Sequence, residues 1–329
     1  MSAQKIRVAV IGVGDFGRNH VRVYRELDDV ELVGVLDANP ERARAVAAEY
    51  GTQVLPGTEA LPELVDAVSL AVPTVDHARV GCRLLEMGLD VLVEKPMAAS
   101  LTEADQLVAT ASRNGRLLQV GHVERFNPAI TAVEKAVSRP LFFEVHRLGI
   151  FTPRSLDIDV VYDVMIHDLD ILLALVNAPV TDLKAVGIPI LTDKIDIAHA
   201  RIEFASGTVA NLTASRVSTE RVRKMRFFQE HEYISVDYAR RDALRIRVAS
   251  TVAGSALPQF HFEKLVTEPE EPLRAELRAF LEAVRTRTQP RVDGPAGRRA
   301  LALADQVMAS ILEHAQRVQL SGVSPQARP

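Results

Sequence analysis

The 329-residue chain has a single cysteine, Cys82. One thiol cannot close an internal disulfide, which excludes a disulfide-stapled scaffold and is compatible with a reducing cytoplasm. Cys82 sits in an apolar helical stretch, residues 78–88, where a buried, inert thiol is expected rather than a nucleophile. An excess of one charge is also missing: 39 Lys plus Arg against 43 Asp plus Glu leave a net charge of −4. No global attraction for nucleic acid or an anionic membrane is expected from that balance. Long apolar runs are lacking as well. The segment 171–176, preceded by Asp168 and Asp170, is far short of the ~20 residues a spanning helix needs. No leader-like apolar region precedes the first strand, so secretion is not expected. There is no internal repeat and no low-complexity block. What remains, 47% apolar and 25% charged residues, is the usage of an ordinary globular protein. At roughly 150 residues per domain, two domains are expected.

Up to about residue 122, short apolar runs (Ile6–Ile11, Glu31–Leu36, Val68–Val72, Val91–Val93, Leu117–Val120) alternate with amphipathic helical stretches such as Val75–Met87 and Leu101–Arg113. That alternation predicts an α/β domain with a parallel sheet covered on both faces. After Pro128 the texture changes. A helix (Ala129–Val137), a strand (Leu141–Leu148) and a helical segment (Asp163–Leu175) are followed by strand-like stretches at Asp182–Leu191, Ala198–Phe204, Thr208–Ser215, Arg223–Phe228 and Tyr233–Asp237. Ala205-Ser206-Gly207 reads as a hairpin turn between two of them. Two helices close the chain, Leu273–Arg285 and Gly297–Arg317, ahead of a tail (321–329) expected to fray. The predicted architecture is a Rossmann domain at 1–123 and, at 124–329, an α+β domain with a large, mostly antiparallel sheet for substrate binding and oligomerisation.

The first strand runs into Gly12-Val13-Gly14-Asp15-Phe16-Gly17 and then a helix, Arg18–Leu27. In such a motif the first glycine makes the tight turn and the second lets a pyrophosphate approach the backbone. The third allows close helix packing, and the helix N-terminus supplies amide donors. Asp37 ends the second strand twenty residues after Gly17. Its carboxylate can accept the adenosine ribose hydroxyls and repel a 2′-phosphate, which favours NAD; Arg42 keeps NADP open. The alternative is a glycine turn of an unrelated α/β protein with Asp37 capping the next helix. Pro73 and Thr74, at a strand's carboxyl end, are expected to line the cofactor, as are His77, Glu94 and Lys95. His77 and His20 read as helix residues rather than catalysts.

Glu94-Lys95-Pro96 directly after a buried strand, with the glycine motif and the run Asp163–Asp170, resembles the Gfo/Idh/MocA oxidoreductase family over essentially the whole chain. Within it, 121–128 and 157–170 are most similar to the branch that oxidises the C3 hydroxyl of UDP-N-acetylglucosamine. An aminotransferase then makes the 3-amino sugar of some lipid A molecules. The resemblance implies NAD, a sugar or nucleotide-sugar substrate, and Lys95, Asp163 and His167 as the catalytic group. One departure stands out. Many members carry glycines just before this aspartate, where the chain has Val160, Val161 and Tyr162, so the substrate loop is expected to differ in shape.

The residues also make chemical sense by themselves. Oxidising a secondary alcohol removes a hydride and a proton, and a positioned base takes the proton. Lys95 is one candidate; its amine, ordinarily near ~10.4, needs burial and the nicotinamide charge to lower it. Protonated, it could instead stabilise developing oxyanion character. His167, ordinarily near ~6.5, is the other. Asp163 and Asp170 lie four before and three after it, which places all three on one helix face. A metal bound by 157–170 is disfavoured because one histidine without a second at helical spacing is a poor zinc set. Arg125 and Asn127, after the last Rossmann strand, are candidates for a substrate diphosphate. Arg154, Arg216, Arg221, Arg223 and Lys224 read as a solvated basic set. Asp170 joins the substrate residues through hydroxyls. Two rivals stay open: a dehydrogenase of another sugar or polyol, and a non-catalytic NAD-binding sensor, for which a proton-transfer set would have no use. One uncovered face of the second sheet predicts a homodimer or homotetramer.

Overall fold

The apolar runs at the start of the chain form a parallel sheet. In chain order its elements are β1 (Ile6–Ile11), α1 (Asp15–Glu26), β2 (Val30–Leu36), α2 (Pro40–Tyr50), β3 (Gln53–Val54), α3 (Leu61–Leu64), β4 (Ala67–Leu70), α4 (Thr74–Glu86), β5 (Asp90–Glu94), α5 (Leu101–Arg113) and β6 (Leu118–Gly121). The six strands lie in the order β3-β2-β1-β4-β5-β6. Strand order reverses between β1 and β4, and such sheets bind ligands in the crevice outside the carboxyl ends at that point. β4 and β5 are buried at every position, as strands covered on both faces require. The computed structural model describes residues 5–152, 156–249 and 259–320. The tail at 321–329 and Arg154 therefore lie outside the described residues.

The second unit holds α6 (Pro128–Glu134), β7 (Pro140–Leu148), α7 (Ile166–Val176), β8 (Val180–Ile188), β9 (Ile197–Phe204), β10 (Val209–Ser215), β11 (Val222–Gln229), β12 (Glu232–Asp237), β13 (Asp242–Ala249) and β14 (Gln259–Leu265). The strands form one eight-stranded sheet, β14-β13-β12-β11-β7-β10-β9-β8. β7 and β10 run parallel, and the other neighbours are antiparallel. Gly207 turns β9 into β10 at φ 83°, its amide donating to the Phe204 carbonyl at 2.8 Å. Alternation with period two gives the sheet a buried face, with Phe143, Val145, Arg147, Met225 and Phe227 among its residues. β13 and β14 extend the sheet beyond the strands expected from sequence. Arg245 and Arg247 both pair with Glu263, while Leu244, Val248, Phe260 and Phe262 are exposed.

Two helices follow, α8 (Pro272–Thr286) and α9 (Gly294–Arg317). The sequence division at 124–329 needs correcting here, because Glu271–Arg298 packs with the first unit. The physical reason is an apolar stripe on α8: Leu277, Phe280, Leu281 and Val284 enter the same core cluster as Val8, Val21, Tyr24 and Val35. From Arg299 the chain belongs to the second unit, where the Ser310 Oγ on α9 accepts the Ala185 amide of β8 at 2.8 Å. No helix among the described residues is long and apolar enough to cross a membrane. Cys82 is half-buried on α4, and burial pushes its thiol above the ordinary value.

Candidate active site

The coenzyme end of the first unit is shaped by what glycine permits. Gly12 has φ 81°, and a Cβ there would meet the Ala71 carbonyl oxygen at 2.5 Å; at Gly17 it would meet the Gly12 carbonyl oxygen at 1.8 Å. At Gly14 a Cβ would meet nothing within 4 Å, so the backbone of this turn borders open space at the N-terminus of α1. Gly14 is the N-cap and offers no side chain to the first amides of that helix. An uncapped helix start beside open space is the donor set a pyrophosphate requires, and the residues fit NAD. Phe16 is exposed on the same turn. Asp37 accepts the Val13 amide at 2.8 Å, the Asn39 amide at 2.7 Å and a two-pronged contact from Arg42 at 3.0 and 2.8 Å. Burial opposes its ionised form, but Arg42 and these amides together hold its carboxyl below the usual range. α2 is capped by Asn39, which accepts the Glu41 and Arg42 amides, so Asp37 is not the cap of that helix.

Pro73 and Thr74 lie where β4 turns into α4, Pro73 exposed and Thr74 half-buried. Lys95 follows directly on β5 and is half-buried. Glu94 and His77 are both buried and hydrogen-bonded to protein groups. The Glu94 carboxylate accepts from His20 Nε2 at 2.9 Å and from the Lys95 amide at 3.2 Å. His77 is 1% exposed, with Nδ1 2.9 Å from the Pro96 carbonyl and Nε2 2.9 Å from the Val72 carbonyl. Burial pushes the His77 imidazole below its ordinary value, against those two carbonyls.

In the second unit the acidic run folds as a wide π-turn, Val161–Met165, continuing into α7. Single π-turns inside helices occur often at functional sites. Asp163 and His167 are half-buried, whereas Asp168 and Asp170 are 3% and 2% exposed. The four side chains therefore do not share one solvent-facing stripe. Val160, Val161 and Tyr162 are core residues. The Tyr162 hydroxyl donates to Asp305 at 2.8 Å, and the Val160 amide donates to the Ile195 carbonyl at 2.9 Å.

Arg147, on the buried face of β7, grips Asp168 through Nε and Nη2, both at 2.7 Å, and Glu124 through Nη1 at 2.8 Å. Its guanidinium lies 4.7 Å from the Tyr238 ring centre. Asn127 caps α6 by accepting the Ala129 amide at 3.1 Å, and donates to Glu124 at 3.0 Å and the Tyr238 carbonyl at 3.1 Å. Arg125 lies 3.5 Å from Asp170 and 3.6 Å from Glu134. Both residues assigned to a substrate diphosphate are thus engaged by protein groups. Among the described residues no three His, Cys, Asp or Glu side chains converge as a metal set. Sequence reasoning missed Arg147, Glu124 and Tyr238; the signal for Arg147 was its place two and four residues after the inward-facing Val145 and Phe143.

Residues 6–122 match the family described as "Oxidoreductase family, NAD-binding Rossmann fold", and residues 131–235 match the "GFO/IDH/MocA C-terminal domain". UDP-N-acetylglucosamine 3-dehydrogenase of Acidithiobacillus ferrooxidans is 42% identical over 95% of this chain and 99% of its own. A solved structure of that enzyme superimposes with a TM-score of 0.87 at 41% identity, covering 93% of this chain and 97% of its own. Inositol 2-dehydrogenase of Rhizobium meliloti is 27% identical over 94% of this chain and 98% of its own. Levoglucosan dehydrogenase, solved with NADH and levoglucosan, shares the fold with a TM-score of 0.84 at 18% identity, over 94% and 98% of the two chains. Taken with the glycine turn at β1 and the lysine at the end of β5, these matches establish that the chain belongs to the Gfo/Idh/MocA family of NAD-binding oxidoreductases.

Proposed function

We propose that this protein oxidises the C3 hydroxyl of UDP-N-acetylglucosamine to the 3-keto sugar, whose carbonyl an aminotransferase then converts to an amine. The observation that carries this reading is the 42% identity, along nearly the full length of both chains, to an enzyme of that name. NAD, when bound, accepts the hydride from the carbinol carbon. The amides at the start of α1 hold the pyrophosphate, with Asp15 and Phe16 on the same turn, and Pro73 and Thr74 line the nicotinamide end. Lys95 or His167 takes the hydroxyl proton, and Asp163 orients the imidazole or a sugar hydroxyl. If Lys95 stays protonated it holds the developing oxyanion instead, leaving the proton to His167. Arg125 and Asn127 are assigned to the substrate's diphosphate and Asp170 to its hydroxyls, each exchanging a protein contact described above for the substrate. The test is absorbance of reduced nicotinamide in mixtures of the protein, NAD and one sugar at a time. Reduction with UDP-N-acetylglucosamine and not with inositols is expected; reduction with a free polyol alone would move the substrate, and NAD binding without reduction by any sugar would favour a sensor.

Asp37 is the residue we assign to the adenosine ribose. All the acceptor positions of its carboxylate are in use, and the Arg42 pair, half exposed on the arginine side, is the one a ribose can displace. Asp37→Ala is expected to weaken NAD binding by about tenfold or more, hydrogen bonds to a charged group being worth ~1.5–3 kcal/mol. It also frees Arg42 for a 2′-phosphate, so NADP should gain relative to NAD in a titration. An unchanged preference would remove the ribose contact.

The outer face of the eight-stranded sheet is the surface we assign to self-association, as a homodimer or homotetramer. Phe142 stacks on Phe228 at 5.9 Å and Phe228 meets Tyr233 at 5.2 Å; the row continues through Ile246 to Phe262, which is 67% exposed. Sedimentation of a Phe262→Asp variant should show a smaller species than the parent protein, and an unchanged mass would exclude this face.

A further inference from the structure

The Glu94-Lys95-Pro96 segment is held from both sides by buried histidines that the reaction itself does not use. His20, on α1, is 1% exposed, and its Nε2 donates to Glu94 Oε1 at 2.9 Å. Its Nδ1 is buried without a hydrogen-bond partner among the described residues, so the ring's bonding is given to Glu94 alone. The other oxygen of that carboxylate accepts the backbone amide of Lys95 at 3.2 Å. Space for the carboxylate depends on Gly121 of β6, where a Cβ would come within 2.8 Å of Glu94 Oε1. Burial works against the ionised carboxyl, yet His20 and the charge of Lys95 hold it below its ordinary value. On the far side of Lys95, the His77 ring nitrogens lie 2.9 Å from the carbonyls of Pro96 and Val72. A neutral ring donates to one of these at a time, and the imidazole sits packed between the residue after Lys95 and the turn at the end of β4.

We propose that His20 and His77 are positioning residues for Lys95, a pair of imidazole clasps that fix the backbone on either side of the lysine and so the point from which its amine emerges. The proposal rests on the assignment of Lys95 to the reaction. A half-buried lysine has four rotatable side-chain bonds, and without a fixed root its amine would sample many positions. Buried hydrogen bonds in a low-dielectric setting are the means by which proteins hold such a root. A misplacement of about 1 Å in a reacting group can lower turnover ~10²-fold. Both rings are 1% exposed, so the effect on NAD affinity is expected to be small.

The experiment compares His20→Ala, His20→Gln, His77→Ala and His77→Gln in the full-length protein. For turnover of UDP-N-acetylglucosamine, each alanine variant is expected to lose ~10–10²-fold in kcat, with the Kd for NAD within a few-fold of the parent. Glutamine, which can replace one ring nitrogen as a donor, should recover most of the loss. In a Lys95→Met background the histidine replacements should cost little more, because residues acting as a unit are not additive. Competitive acetylation of the lysine amines, read by mass spectrometry, supplies a measure that needs no substrate. Lys95 should change its reactivity several-fold in the variants while Lys184 and Lys224 do not. If alanine variants fail to fold, the glutamine variants carry the same labelling comparison. Parent-like kcat together with unchanged Lys95 labelling would overturn the clasp. Absence of sugar turnover in the parent, with Lys95 labelling still altered in the variants, would overturn the assigned substrate and leave the clasp standing.

Discussion

Replacing Lys95 by methionine is expected to lower kcat by about 10²–10⁴-fold, the span associated with a positioned proton-transfer group. NAD affinity should change little. The coenzyme's diphosphate is assigned to the turn after β1 and its ribose to Asp37, and neither contact passes through the Lys95 amine. Methionine keeps the length and apolar stem of the side chain, so the half-buried position stays filled. The measurement is steady-state kinetics with UDP-N-acetylglucosamine alongside an NAD titration of each protein. A parallel fall in kcat and kcat/KM would mark an interaction made in the transition state. Retained turnover would remove Lys95 from the mechanism.

The second large effect is expected at Arg147, where the loss falls on stability. Arg147→Ala leaves the buried Asp168 and the largely buried Glu124 without their shared cation. Removing one partner of a buried ion pair costs ~3–5 kcal/mol, which for units of this size is on the order of 10 °C in Tm. Scanning calorimetry or circular dichroism gives the number directly. The deficit should also depend on pH in a defined sense. Burial raises the Glu124 carboxyl, but the Arg147 charge and hydrogen bond, followed by Asn127, bring it below its ordinary value. A depressed carboxyl contributes stability above its unfolded value, near ~4.3, and loses it as pH falls through the folded value. The gap between parent and variant should therefore be full at neutral pH and narrow below about pH 4. Arg147→Lys should recover little, since an ammonium cannot reproduce the two parallel bonds to Asp168. A variant with parent-like melting would mean the network is not what holds this region.

What could be read from the sequence was local, and what could not was the choice of distant partners. Gly12, Gly14, Gly17 and Asp37 fall within one βαβ unit, so their spacing alone placed them on the turn and strand end where they stand. Lys95 was legible for the same reason, through the apolar run that ends just before it. The clasps were not: His20 and Glu94 are 74 residues apart, and neither residue's surroundings hint at the other. Likewise Arg147 meets Asp168 across 21 residues. A buried polar side chain is satisfied by whatever the fold brings alongside, which local patterning does not reveal. That is also why Asn127 and Asp170, chemically suited to bind a sugar, prove to be engaged by α6 and Arg125. The π-turn at Val161–Met165 departs from the regular spacing assumed for Asp163 and His167. α8 shows the same limit at the level of domains, since its apolar stripe announced burial but not against which core.

Hydride transfer from sugar C3 is the central claim, and label transfer reads it most directly. UDP-N-acetylglucosamine carrying deuterium at C3 should yield reduced nicotinamide that contains the deuterium, together with a 3-keto nucleotide sugar that has lost it. Deuterium remaining on the sugar after NAD has been reduced, or reduction that follows label placed at another carbon, would contradict the account.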